Sequence, residues 1–147
     1  MAAPTEEQRN RAAALEFIHG MGSGALATHL VADEFSGWSG LSGDIAGPDF
    51  LVGAGMLGKI FVGGLKFTIL TTIAEGKQVS VRAVANGRTI IGADYENSLH
   101  YFFRFTAEGK IAFIAEYMNT QLTLEIVRPA FEEFLRRQAE ETAGTSS

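Results

Sequence analysis

The chain has 147 residues, a formal charge of -5 and no cysteine. That length suits one domain spanning 1–147, able to bury about two thirds of its unfolded surface; the missing cysteine excludes disulfides and thiolate metal sites. No run of lysine and arginine is present to neutralise a phosphate backbone, which argues against a nucleic-acid partner.

The start, Met1-Ala2-Ala3-Pro4-Thr5-Glu6-Glu7, has neither the basic end nor the apolar core of an export signal, and no apolar run is long enough to span a bilayer. A cytoplasmic protein without membrane contact is expected. The 11 phenylalanines must fill a core, line a cavity or cover a partner.

Thr5-Glu6-Glu7-Gln8 has the spacing of a capping box. It opens a helix whose apolar face is Ala14, Leu15, Ile18 and Met21, ended by the glycines of 20–24. A short second helix is expected around Leu26 and Leu30, then a short strand or loop from Phe35 to Gly43 around Trp38. Gly47-Pro48-Asp49 starts another helix, with Phe50, Ala54, Leu57 and Phe61 on one face. Its glycines at 53, 55 and 58 weaken it by about 1 kcal/mol each, which predicts close packing at those positions.

From Leu65 the apolar period becomes two. Leu65, Phe67, Ile69 and Ile73 predict one strand, and Val79, Val81, Ala83 and Ala85, alternating with Ser80, Arg82, Val84 and Asn86, predict a second. Tyr95 to Phe105 and Ile111 to Asn119 follow, separated by turns at Asn86-Gly87 and Glu108-Gly109, so these four strands are expected to be antiparallel. Thr120 is the expected cap of a last helix with Leu124, Val127, Phe131 and Phe134 on one face and a kink or restart at Pro129. The polar tail from Glu140 is expected to be disordered.

Gly53-Ala54-Gly55-Met56-Leu57-Gly58 matches the dinucleotide-binding pattern G-x-G-x-x-G. The match is set aside, because Phe50 to Val52 is too short for the preceding strand and hairpins follow where a parallel sheet would be needed.

Helices first, then strands carrying Tyr95-x-Asn97, Phe103-Arg104, Gly109-Lys110-Ile111 and Glu116-Tyr117, resemble the nuclear transport factor 2-like superfamily. Within it the chain is most similar to the ketosteroid isomerase-related, SnoaL-like group. The resemblance runs from about Ala12 to Val127. It implies an α+β fold, in which a cone-shaped, curved antiparallel sheet wraps the N-terminal helices around an internal apolar pocket, and a homodimer formed through the outer sheet face. Members include isomerases, dehydratases, epoxide hydrolases and polyketide cyclases besides many with no known chemistry, so the fold does not assign a reaction.

By analogy with the epoxide hydrolase pattern, Arg82 and Val84, then Asn97, Leu99 and Tyr101, then Ile114, Glu116 and Met118 should face the pocket, with Trp38 in its wall or in the core. That pattern has an acid two residues after the arginine. Val84 stands there instead, and Glu116 is the remaining carboxylate. Glu116 reads either as a general base in an apolar site or as half of a buried ion pair with Arg82. Asn97 and Tyr101 read as oxyanion donors or as groups that satisfy polar neighbours. His100 should point to the outer face with Phe102 and Arg104. His19 and His29 have no ligand spacing, so neither metal nor organic cofactor is expected. The implied activity is a cofactor-independent isomerase, cyclase or hydrolase working by acid/base chemistry on a small apolar, oxygen-bearing molecule of steroid, terpenoid or polyketide type. The alternative is a non-catalytic dimeric module that binds a small ligand or another protein.

Overall fold

A computed structural model describes residues 2–145. The Thr5 hydroxyl accepts from the Gln8 amide at 3.1 Å, and the Gln8 side chain accepts from the Thr5 amide at 2.9 Å. This reciprocal cap opens α1 (Glu6–Ser23), and Gly24, at φ 82°, closes it. Ala14, Phe17, Ile18 and Met21 form its buried stripe.

In place of the expected second helix there is a single 3₁₀ turn, Thr28–Leu30, followed by β1 (Val31–Ser39) and β2 (Gly43–Ala46). Two leucines across one turn cannot carry a helix past its nucleation cost. Helix α2 (Gly47–Ile60) begins at Gly47-Pro48, as expected, and buries Phe50 and Ala54. Of the glycines at 53, 55 and 58 only Gly58 lies in a tight contact: a β-carbon there would come within 2.5 Å of the Gly24 Cα, whereas Gly53 and Gly55 face open space. Gly37 on β1 likewise admits the Phe50 ring, which a β-carbon would meet at 2.4 Å.

The sheet has six strands in the order β2-β1-β6-β5-β4-β3, the last four being β3 (Lys66–Glu75), β4 (Gln78–Arg88), β5 (Asp94–Phe105) and β6 (Ile111–Met118). Strands β3 to β6 are antiparallel neighbours, as their short turns require. The sheet as a whole is mixed rather than antiparallel, because β1 runs parallel to β6. No turn joins those two strands, so no local signal announces the pairing.

The inner row of the sheet is Val79, Val81, Ala83 and Ala85 on β4 and Tyr95, Asn97, Leu99, Tyr101, Phe103 and Phe105 on β5, all buried. On β3 the alternation breaks at a register shift between Ile69 and Thr71. The extra residue reverses the pleat, so Ile73, expected on the inner row with Phe67, is 64% exposed.

Asn119, not Thr120, caps the last helical segment: its side-chain oxygen accepts from the amides of Gln121 and Leu122. One turn, α3 (Thr120–Leu122), passes into a wide π turn (Thr123–Val127) and then into α4 (Arg128–Thr145). Pro129 offers no amide to the Glu125 carbonyl, which accounts for the break in the helical ladder at that point. Ala130 is buried, and Ile126, Val127 and Phe134 pack on the core while Leu124 turns outward. The tail expected to be disordered from Glu140 is helical as far as Thr145; Ser146 and Ser147 lie outside the described residues.

Candidate functional site

Where α2, the β1–β2 hairpin, β6 and the start of the C-terminal helical segment converge, they leave a cavity of about 470 Å³. Phe50, Gly53, Ala54 and Leu57 of α2 form one wall, Ser39, Leu41 and Ile45 of the hairpin another, and Glu116 and Met118 of β6 lie at its base. The hairpin tip is fixed by the Ser39 hydroxyl, which accepts from the amides of Leu41 and Ser42 at 3.2 and 3.1 Å. A second, inner cavity of about 50 Å³ lies against Phe67, Tyr95, Leu99 and Tyr101. Leu57, Glu116, Met118 and Thr123 line both.

Glu116 therefore stands between the two spaces. Its carboxylate makes no hydrogen bond or ion pair among the described residues, and loss of hydration pushes its pKa from 4.5 up to about 7. Tyr101 is its direct cross-strand neighbour. The Tyr101 phenol also has no hydrogen-bond partner among the described residues. Burial first, then the negative charge of Glu116, holds its pKa well above the ordinary 10.0, so it remains a proton donor at any working pH.

Asn97 is buried with the same row but is fully occupied. Its amide nitrogen donates to the Tyr95 hydroxyl at 2.8 Å and to the Asn119 carbonyl at 3.1 Å, and its oxygen accepts from the Asn119 amide at 3.1 Å. It fastens the end of β6 to β5 rather than offering a donor to the cavity. Thr123, on the π turn, donates to the Met118 sulfur at 3.1 Å and so brings that turn onto the base of the cavity.

Three of the expected positions are elsewhere. Arg82 and Val84 lie on the outer face of β4, in register with His100 and Ser98 of β5, and Arg82 is exposed. The Arg82–Glu116 pair is absent for this reason: Val79, Val81, Ala83 and Ala85 take the inner parity and leave the outer one to Arg82. Trp38 is also on the outer face, its ring 4.8 Å from that of Tyr117, because Phe35, Gly37 and Ser39 are the inward residues of β1. Leu99, Ile114 and Tyr101 are buried on the inner side, and Met118 and Glu116 reach the cavity. His100 is exposed on the outer face, as expected.

Two acids at the cavity mouth, Asp44 on β2 and Asp49 in the first turn of α2, were not anticipated. The G-D-I-A strand that carries Asp44 is too short to be read by periodicity, although Asp49 could have been found as the acid beside a helix start. No group of three or more histidine, aspartate or glutamate side chains suited to a metal ion occurs among the described residues, and none of their helices is long and apolar enough to cross a membrane.

No family model matches the sequence, and no curated protein matches it significantly. Solved structures do share its fold. A putative hydroxylase, AclR, from Streptomyces galilaeus superposes with a TM-score of 0.70 at 16% identity, covering 80% of this chain and 94% of its own. A putative SnoaL-like polyketide cyclase from Jannaschia sp. CCS1 gives 0.69 at 14% identity, over 84% of this chain and 94% of that one. PrhC from Penicillium brasilianum gives 0.66 at 18% identity, over 96% and 95%. At such identities the shared property is the architecture: the chain has the nuclear transport factor 2-like fold in the form found in SnoaL-like proteins.

Proposed function

We propose that the protein is a general acid/base enzyme, an isomerase or cyclase, acting on a small, largely apolar molecule that carries a carbonyl. The observation that supports this most is the Glu116 carboxylate, unpaired and desolvated to a pKa of about 7 between a cavity of about 470 Å³ and the Tyr101 phenol. A base with a pKa near the working pH is the most effective proton carrier, and the cavity volume is in the range of small-molecule sites. Similarly folded proteins include a putative polyketide cyclase and a putative hydroxylase, which supports a small organic substrate.

In this mechanism Glu116 removes a proton from the carbon next to the carbonyl. The C–H electron pair becomes the enolate double bond, the carbonyl π pair moves to oxygen, and the Tyr101 O–H donates a hydrogen bond to that oxygen. The protonated Glu116 then returns the proton to the same or a neighbouring carbon, so no net charge or electron is exchanged with the protein. Proton transfer of this kind needs no cofactor. The proposal includes a homodimer through the outer sheet face, where Trp38 packs against Tyr117, which is 51% exposed, and a cytoplasmic setting that the cysteine-free sequence suits.

The test is hydrogen–deuterium exchange at the α-carbon of 1-tetralone in D₂O, followed by mass spectrometry. Exchange above the buffer rate with the native chain, lost in Glu116→Gln, is the expected result. Exchange at the buffer rate in both, with native mass spectrometry showing a retained apolar ligand, favours the non-catalytic binding module instead.

A further inference from the structure

Beside the main cavity runs a groove of about 260 Å³, walled by Met56 and Ile60 of α2 and by Leu124, Val127 and Phe131 of the C-terminal helical segment. It adjoins the main cavity: Leu41, Gly53, Leu57 and Thr123 line both. The charges of the combined space are divided. The main cavity carries Asp44, Asp49 and Glu116, all acidic, while the groove carries one charged residue, Arg128. Arg128 is exposed at the groove, and its guanidinium makes no hydrogen bond or ion pair among the described residues.

We infer that the groove and the main cavity together hold one elongated apolar acid, its carboxylate against Arg128 and its apolar body reaching past Gly53 toward Glu116. This deepens the proposed function and rests on it, because it takes the two spaces as one ligand site. The division of charge sets the direction of entry. A carboxylate is repelled by the three acids of the main cavity and attracted by the guanidinium, whose fork of donors matches two carboxylate oxygens. The uncharged, carbonyl-bearing end is thereby presented to Glu116. A neutral molecule of the same shape gains the apolar contacts but has no preferred orientation.

Gly53 gives a means of separating the groove from the cavity. A β-carbon at this position meets no atom within 4 Å, so a leucine here fills the passage while raising helix propensity. The experiment is calorimetric titration of the full chain with decanoate and with decan-1-ol. Decanoate should bind more tightly. Arg128→Gln should weaken decanoate about threefold to fivefold and leave decan-1-ol unchanged, with Arg128→Lys keeping only part of the difference because an ammonium lacks the fork. Gly53→Leu should weaken both by about tenfold or more, with no fall in melting temperature to show that the fold is kept. No binding of decanoate to the native chain, or an Arg128→Gln effect that is absent or equal for the two probes, overturns the inference. Neither probe has a ketone whose exchange reports on Glu116. Loss of tetralone exchange in Glu116→Gln therefore supports the acid/base function whatever the titrations give.

Discussion

Tyr101 and Glu116 stand directly opposite each other across the β5–β6 ladder, and both line the same inner cavity. Cross-strand partners have β-carbons about 5 Å apart. One side chain is a carboxylate that burial keeps near half-protonation at neutral pH, and the other a phenol that the same burial keeps protonated. Acceptor and donor are thus prepared by one physical cause, and both are placed by the β5–β6 ladder rather than by a loop.

Stability should fall as pH rises through the range in which Glu116 ionises. The folded pKa, about 7, lies above the value of 4.5 for the unfolded chain. Between these values the unfolded chain has released the proton and the folded one still holds it, so the free energy of unfolding declines with pH. The contribution is fully present below about 4.5 and is lost as pH passes 7, on the order of 1–3 kcal/mol given the water that reaches the cavity. Glu116→Gln removes this term. Its melting temperature should exceed that of the native chain at pH 8.5 and match it at pH 4, and a constant difference across that range would contradict the assignment of the shift to Glu116.

Tyr101→Phe deletes one oxygen and keeps the ring that packs against Phe67 and Phe103. Because the phenol has no partner in the protein, folding stability should change by less than about 1 kcal/mol. Exchange of the tetralone α-proton should fall about 100-fold, the loss typical of one oxyanion donor. The pH midpoint of the exchange rate should remain that of Glu116. A large loss of stability with unaltered exchange would return Tyr101 to a packing role.

The sequence revealed the inner rows of β4 and β5 because Val79 to Ala85 and Tyr95 to Phe105 alternate strictly, and one face of the sheet is buried. The same alternation put Arg82 on the outer side. Its inward placement came from the resemblance, whose arginine position this strand does not reproduce. Ile73 was misplaced because a bulge adds a residue without any glycine or proline to mark it. Glu116 was legible as an acid in an apolar row. The Asn97 clamp was not, since it depends on a contact with a segment distant in the chain, as the parallel pairing of β1 with β6 does, and Asp44 was not, since its strand is too short to show a period.

Arg82→Ala tests the outward placement of the guanidinium. The side chain is exposed on the outer face and touches neither cavity. Both stability and tetralone exchange should stay near native values, within about 0.5 kcal/mol for unfolding. A tenfold loss of exchange would mean that the guanidinium reaches Glu116 after all.

Asn97→Leu is expected to be the most damaging change at the site. It leaves the Asn119 amide without its acceptor at 3.1 Å and takes one donor each from the Tyr95 hydroxyl, at 2.8 Å, and the Asn119 carbonyl, at 3.1 Å, the carbonyl still accepting from the Thr123 amide at 3.3 Å. An unpaired buried polar group costs about 1–3 kcal/mol, and the weakened bonds beside it add about 1 kcal/mol, with partial relief from water entering the cavity. Urea denaturation should show a loss of about 3 kcal/mol, and amide exchange should quicken first at Asn119 to Thr123. A loss below about 1 kcal/mol would show that β6 and the helical segment are held together by packing.

Gly53 and Gly58 lie five residues apart on α2 and should respond in opposite directions to the same substitution. At Gly58 an added methyl group would come within 2.5 Å of the Gly24 Cα and 2.7 Å of its amide nitrogen, both backbone atoms that move only if α1 and α2 separate. At Gly53 there is open space within 4 Å, and the exchange of glycine for alanine in a helix adds about 0.5–1 kcal/mol of stability. Gly58→Ala should therefore lower the unfolding free energy by about 2 kcal/mol or more, and Gly53→Ala should raise it. The measurement is a pair of urea midpoints at constant slope. Equal changes of either sign would mean that the contact between the end of α1 and α2, the helix whose Leu57 lines both cavities with Glu116, is looser than the structure indicates.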